Sequence, residues 1–313
     1  MGVAPRGKWC LSRGVNLLPP TTVQLALAGF LLVGTVGRAS TVHVGNTAAA
    51  LDLARQFAAV GWVDTKSASG FSTLSSGVGL NPEWFLSAGH SSGSAENTRV
   101  GFGDNAFADL GGGNYVEVSE IYVLSSEILE RDLALYHMVD VAPSLFPNAT
   151  LFEGELALGD LTTAVGYGLF TEVGGSARLT GNRAAYSSRI TEFGFADSPD
   201  YFLMTTFFGP EDPGFDPLGG ASNQGDSGGG VFVEGGDGTM QLAAIHSHGY
   251  GDKTAHGSRS GSLRLSDHQV RNWLYAITSE HSQDPANIIP EAHPVLLLAA
   301  AVWLALRRRG RAG

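Results

Sequence analysis

Gly225-Asp226-Ser227-Gly228-Gly229-Gly230-Val231-Phe232-Val233 carries most of what this sequence says about its fold. One serine stands among four glycines, with an acid directly before it. Glycine lets a chain turn sharply and lets peptide N–H groups point at a developing oxyanion, so the setting suits a nucleophilic hydroxyl. With 43 glycines in 313 residues, a plain Gly/Ser turn is the competing reading. After Gly230 comes an apolar Val-Phe-Val run that reads as a strand. Short apolar runs between Gly-rich turns recur along the chain, and they predict a β fold.

A serine hydroxyl needs a base, usually a histidine oriented by a carboxylate. Upstream lies Trp84-Phe85-Leu86-Ser87-Ala88-Gly89-His90, a strand-like run ending in small residues and a histidine. Further on, Asp132 opens the apolar run Leu133-Ala134-Leu135-Tyr136. The order is His, Asp, Ser, with spacings of 42 and 95 residues.

These three segments resemble the chymotrypsin-type, trypsin-like serine peptidase family. Ser87-Ala88-Gly89-His90 matches the family's histidine motif, Asp132-Leu133-Ala134-Leu135 its aspartate motif, and Gly225 to Gly229 its serine motif, with Gly230 where a proline is usual. The resemblance covers roughly residues 55–280. It implies an all-β fold of two antiparallel six-stranded barrels with the active site in the cleft between them, plus a C-terminal helix. It also implies a serine endopeptidase with His90, Asp132 and Ser227 as catalytic residues. The Gly225 and Ser227 N–H groups would form the oxyanion hole. The rival reading of Gly225-x-Ser227-x-Gly229 is the α/β-hydrolase elbow, which needs a helix after the serine and its acid and histidine downstream. Here Ser227 is followed by Gly228 to Gly230 and the strand-like Val231-Phe232-Val233, and the chain lacks the alternating strand and long-helix pattern of a parallel sheet.

The resemblance also places substrate-binding residues. Ala221 stands at the base of the specificity pocket, where enzymes that cut after Arg or Lys carry an aspartate, so basic specificity is not expected. Ser247-His248-Gly249 would form the pocket wall, with Ser247 and Gly249 pairing with substrate backbone. His246 falls near the pocket histidine of bacterial glutamyl endopeptidases, and Ser222 could help bind a carboxylate, which raises acidic specificity as an alternative to a small or apolar pocket. In the family the residue matching Asp226 pairs with a new N-terminal ammonium, usually of an Ile-Val-Gly-Gly segment. No such segment is present, and His43-Val44-Gly45-Asn46 is a poor substitute.

Charged residues make up only 16% of the chain and apolar ones 43%, enough for a large core. The apolar run from about Val23 to Val36 follows Arg6, Lys8 and Arg13 and precedes Gly37-Arg38-Ala39, the pattern of a signal peptide over 1–39 with a cut after Ala39. At the other end, 288–313 join Ile289-Pro290-Glu291-Ala292 to an apolar run and four arginines. This tail resembles a bacterial PEP-CTERM sorting signal, which implies export, signal peptidase and an exosortase as processing partners, and membrane contact only through that segment. Cys10, the only cysteine, lies in the leader, and Ser91 stands where many family members carry a cysteine.

Residues 40–287 carry 29 acidic and 11 basic side chains, hence −18, which argues against nucleic acid as a partner. Protein or peptide is the expected substrate. No cofactor or metal is expected; Asp212 and Asp216 in the Gly209–Gly220 loop lack calcium-ligand spacing. The peptidase domain is expected over 40–284, with barrel one at about 55–142, barrel two at about 150–265 and a helix at about 266–279. A short helix is expected over Leu51–Val60, and a Pro-containing link at Pro143–Pro147. The competing function class is an inactive member of the fold serving as a surface or binding protein.

Overall fold

A computed structural model describes residues 40–67, 69–138, 147–195, 198–282 and 288–290. The expectations for the leader, for the tail beyond Pro290 and for most of the Pro143–Pro147 link lie outside these residues. In chain order, β1 (Ser40–Val42) and α1 (Thr47–Ala54) come first. Then follow β2 (Val60–Lys66), β3 (Ser72–Gly79), β4 (Trp84–Ser87), β5 (Thr98–Gly101), α2 (Ala106–Gly112), β6 (Val116–Ser125) and β7 (Leu133–Met138). The second half holds β8 (Leu161–Gly166), β9 (Phe170–Glu172), β10 (Ala184–Phe195), β11 (Ser198–Thr206), β12 (Gly220–Ala221), β13 (Gly230–Glu234), β14 (Met240–Tyr250), β15 (Arg259–Arg264) and α3 (His268–His281).

Two closed six-stranded barrels result. The first runs β2-β3-β4-β7-β6-β5 and the second β10-β11-β15-β14-β13-β8. Every pairing within them is antiparallel. A small third sheet, β12-β1-β9, ties the start of the described chain to the second half.

Strand periodicity explains how the sequence fills this shape. Successive side chains of a strand face opposite sides. In β4 and β7, Trp84, Leu86, Leu133 and Leu135 join one buried cluster, while Phe85, Ala134, Tyr136 and Met138 join another. The first cluster also contains Val165, Phe202, Leu242 and Ile245 of the second barrel, so one apolar core runs through both barrels.

The helix expected over Leu51–Val60 is displaced. It occupies Thr47–Ala54, and Val60 opens β2. Phe57 and Val60 are both buried in the main cluster, and drawing them inward ends the helix early. α3 begins where Asp267 accepts from the N–H groups of Gln269 and Val270, a good N-cap. Its Val270 and Leu274 enter the shared core. It also reaches the first barrel, because Trp84 Nε1 donates to Ser282 Oγ at 2.8 Å. Asp267 takes a two-pronged pair from Arg131 at 2.8 and 3.2 Å, next to Asp132 in sequence. Asp267→Ala removes the cap and this pair together. It is expected to lower unfolding free energy by about 1–2 kcal/mol, measurable as a lower urea midpoint at unchanged slope.

Candidate active site

His90 sits in a single 3₁₀ turn, Gly89–Ser91, directly after β4. Asp132 immediately precedes β7, which pairs with β4, so both side chains arrive at the same barrel end. Asp132 is fully buried. One of its oxygens accepts from the His90 backbone N–H at 2.8 Å, and the other meets His90 Nδ1 at 2.7 Å. An ionised carboxylate only accepts, so Nδ1 carries the proton and Nε2 is left as the acceptor. Ser227, in the loop before β13, lies with Oγ 2.9 Å from that Nε2.

The serine loop is gripped from the first barrel. Ser76 of β3 donates its backbone N–H to the Ser227 carbonyl at 2.9 Å and its hydroxyl to the Gly225 carbonyl at 2.7 Å. From the second barrel, the His246 carbonyl accepts from Gly228 N–H and the His246 N–H donates to the Gly229 carbonyl, both at 2.8 Å. Gly225 and Gly228 have φ of 92° and 85°. A Cβ on Gly228 would lie 2.1 Å from the Ser76 carbonyl oxygen, so the sequence needs glycine there both for φ and for space.

The Gln224 carbonyl accepts from Leu169 N–H at 3.0 Å. In a trans peptide the N–H points opposite to the carbonyl, so Gly225 N–H faces away from Leu169. Neither this N–H nor that of Ser227 has a partner among the described residues. A cleft of about 630 Å³ opens here, lined among others by Leu74, His90, Leu169, Gln224, Gly225 and Ser227.

Ser247 has a use that the sequence did not reveal. Its hydroxyl donates to Asp132 at 2.5 Å, so a β14 side chain of the second barrel orients the carboxylate of the first. Ala221 is buried in β12, opposite Thr41 of β1. Ser222 is buried as well, its N–H and hydroxyl both engaged with Ser260 Oγ at 3.0 and 2.9 Å. His246 is buried with Nδ1 3.4 Å from Ser262 Oγ, and burial lowers its pKa well below the usual imidazole value. Gly249 lies on β14 opposite Ser260 of β15. Asp212 and Asp216 accept from Gly209 and Leu218 N–H groups, capping local turns.

A model of the trypsin family matches residues 54–274. The chain belongs to the trypsin family. It is thus a serine peptidase of the hydrolase class by descent, and its two-barrel architecture is the trypsin fold. A search of curated proteins gave no match. Among the described residues no helix is long and apolar enough to cross a membrane.

Trypsin-family members pair the acid before the serine with a chain terminus, and here Asp226 is indeed buried. Its oxygens accept from Ser40 Oγ at 2.7 Å, Asn223 N–H at 2.8 Å and Gly168 N–H at 2.9 Å. Burial nevertheless raises its pKa to about 6. The segment beside it is Ser40-Thr41-Val42, in β1, and not His43 to Asn46. His43 instead packs against Phe207, Phe215 and His256.

Proposed function

We propose that the protein is an exported serine endopeptidase. The observation that carries this reading is the continuous hydrogen-bonded line Asp132–His90–Ser227, beside two N–H groups that have no partner among the described residues. Ser227 Oγ attacks the peptide carbonyl carbon while its proton passes to His90 Nε2. The carbonyl π pair moves onto oxygen, and the Gly225 and Ser227 N–H groups hold that oxyanion. Collapse of the tetrahedral adduct breaks the C–N bond, and Nε2–H gives its proton to the leaving amine. Water then repeats the sequence on the acyl-enzyme and frees Ser227. Asp132 holds the imidazole tautomer and offsets its charge during transfer.

Export rests on the signal-like leader and the sorting-like tail, with signal peptidase and an exosortase as the processing partners. Proteins or peptides are the substrates. With Ala221 at the pocket base there is no acid to meet Arg or Lys. Cleavage after Ala39 would make Ser40 the new terminus, beside Asp226.

Labelling with a small fluorophosphonate tests the chemistry. Wild type is expected to gain one adduct, mapped to Ser227 by mass spectrometry, and Ser227→Ala none. A folded wild type that stays unlabelled would sink the proposal. Ser247→Ala removes one of the donors to Asp132. It is expected to lower kcat about tenfold with KM nearly unchanged, measured on one peptide substrate.

A further inference from the structure

The wall beside Ser227 comes from three strands. β14 supplies His246 and Gly249, β15 supplies Ser260 and Ser262 opposite them, and β12 with its following residue supplies Ala221 and Ser222. Their polar atoms are engaged with one another, through the Ser222–Ser260 and His246–Ser262 contacts. The wall is therefore small and polar, with no fixed charge of its own.

Charge arrives from Lys253, in the loop between β14 and β15. A Cβ built on Gly249 would lie 1.8 Å from Lys253 Nζ, so the ammonium occupies space over Gly249 that only a glycine leaves open. Thr41 donates its hydroxyl to the Lys253 carbonyl and fixes the loop to β1. Among the described residues no carboxylate comes within ion-pair distance of this ammonium. Asp226 acts on it only through space, its oxygens being taken by Ser40, Asn223 and Gly168. Burial pushes the Lys253 pKa down to about 8, against the pull of Asp226. Burial, and after it the Lys253 charge, lower His246 far down and His248 to about 4, so both rings are neutral at neutral pH. A cation in this wall is thus lysine rather than histidine. A largely desolvated ammonium with no carboxylate in contact among the described residues is unfavourable, and an incoming carboxylate relieves that cost.

We propose that Lys253 selects the side chain on the acyl side of the cut bond, and that it selects aspartate or glutamate. This rests on the serine peptidase reading above. A substrate strand pairing with Ser247 and Gly249 turns that side chain toward Lys253 Nζ, where a carboxylate gains a charge-assisted hydrogen bond. An apolar side chain would strip the ammonium of water and give nothing back.

The test uses the full chain expressed with its leader and four probes. Three are peptidyl diphenyl phosphonates with a glutamate-like, leucine-like or lysine-like group next to phosphorus. The fourth is a small fluorophosphonate without one, against which each rate is normalised. The glutamate-like probe is expected to react about 10- to 100-fold faster than the other two. Lys253→Met is expected to abolish that margin and Lys253→Arg to keep it. Equal rates, a leucine-first ranking, or a glutamate preference that survives Lys253→Met overturns the proposal. The wild-type ranking alone decides if neither variant folds. If the fluorophosphonate itself leaves Ser227 unmodified, the peptidase reading fails and this inference falls with it.

Discussion

Ser227→Ala is expected to lower kcat by about 10⁴- to 10⁶-fold while leaving the fold and KM nearly untouched. The hydroxyl makes its hydrogen bond to His90 Nε2, at a half-exposed position. Losing it removes little stability. The loop itself is held by backbone groups, through Ser76 N–H to the Ser227 carbonyl and through Gly228 and Gly229 to His246, and an alanine keeps all of these. What disappears is the bond-forming atom. His90→Ala is expected to cost a similar factor, because without Nε2 the serine keeps its proton. The two changes together should cost scarcely more than either one, since they disable a single step. Rates on one peptide substrate, with melting curves for each variant, check this. Losses that multiply in the double variant would mean that the two residues act separately, contrary to the mechanism proposed here.

The parts of this site that were legible in the sequence are those with local signatures. His90 follows a strand and small residues, Asp132 opens a strand, and Ser227 lies among glycines; each is a short motif. The partners that make the site work are remote. Ser76 lies 149 residues before Gly225, and Ser40 lies 186 before Asp226, with no motif around either. A serine in Leu74-Ser75-Ser76-Gly77 has no feature that marks it as the clamp on a loop in the other barrel. The barrels show the same division. β7 was readable because Leu133 to Met138 is apolar and short. β15 was not: Arg259-Ser260-Gly261-Ser262-Leu263-Arg264 lacks an apolar alternation, yet Ser260 and Ser262 are buried because their hydroxyls bond across the pocket wall. β10 begins with alanines and serines that carry no marked strand pattern, and pairing with β8 and β11 on either side makes it a strand. Lys253 has no motif around it; its approach to Gly249 is visible only in the folded chain.

A chain that begins at Ser40 is expected to be about 100- to 1000-fold more active than one still joined to Ala39. The argument runs through Asp226. Its neighbour Ser227 is the proposed nucleophile and its loop carries the N–H of Gly225, so in the proposed mechanism whatever fixes Asp226 fixes the oxyanion site. In the unprocessed chain the carboxyl is buried with neutral donors, the Lys253 charge acts on it only from a distance, and its pKa stands at about 6. Raised above the ordinary carboxyl value, it favours the protonated form in the folded state. The unprocessed fold therefore gives up stability as pH rises from about 4 through 6, roughly 3 kcal/mol by pH 7. The proposed cleavage after Ala39 would change the balance. The Ser40 nitrogen is three bonds from the Oγ that already touches Asp226, and β1 is pinned between β12 and β9. An ammonium there forms a buried pair whose loss costs about 3–5 kcal/mol, which is the source of the activity ratio. Two comparisons check the account. In a Ser227→Ala background, which prevents self-digestion, urea midpoints of the unprocessed chain should fall between pH 5 and 7 while those of the chain starting at Ser40 hold or rise. In the active background, Asp226→Asn should bring the processed chain down to the activity of the unprocessed one, and should change the unprocessed chain little. A processed chain that keeps its activity with asparagine at position 226 would separate the terminus from catalysis and leave β1 as a strand that merely closes the third sheet.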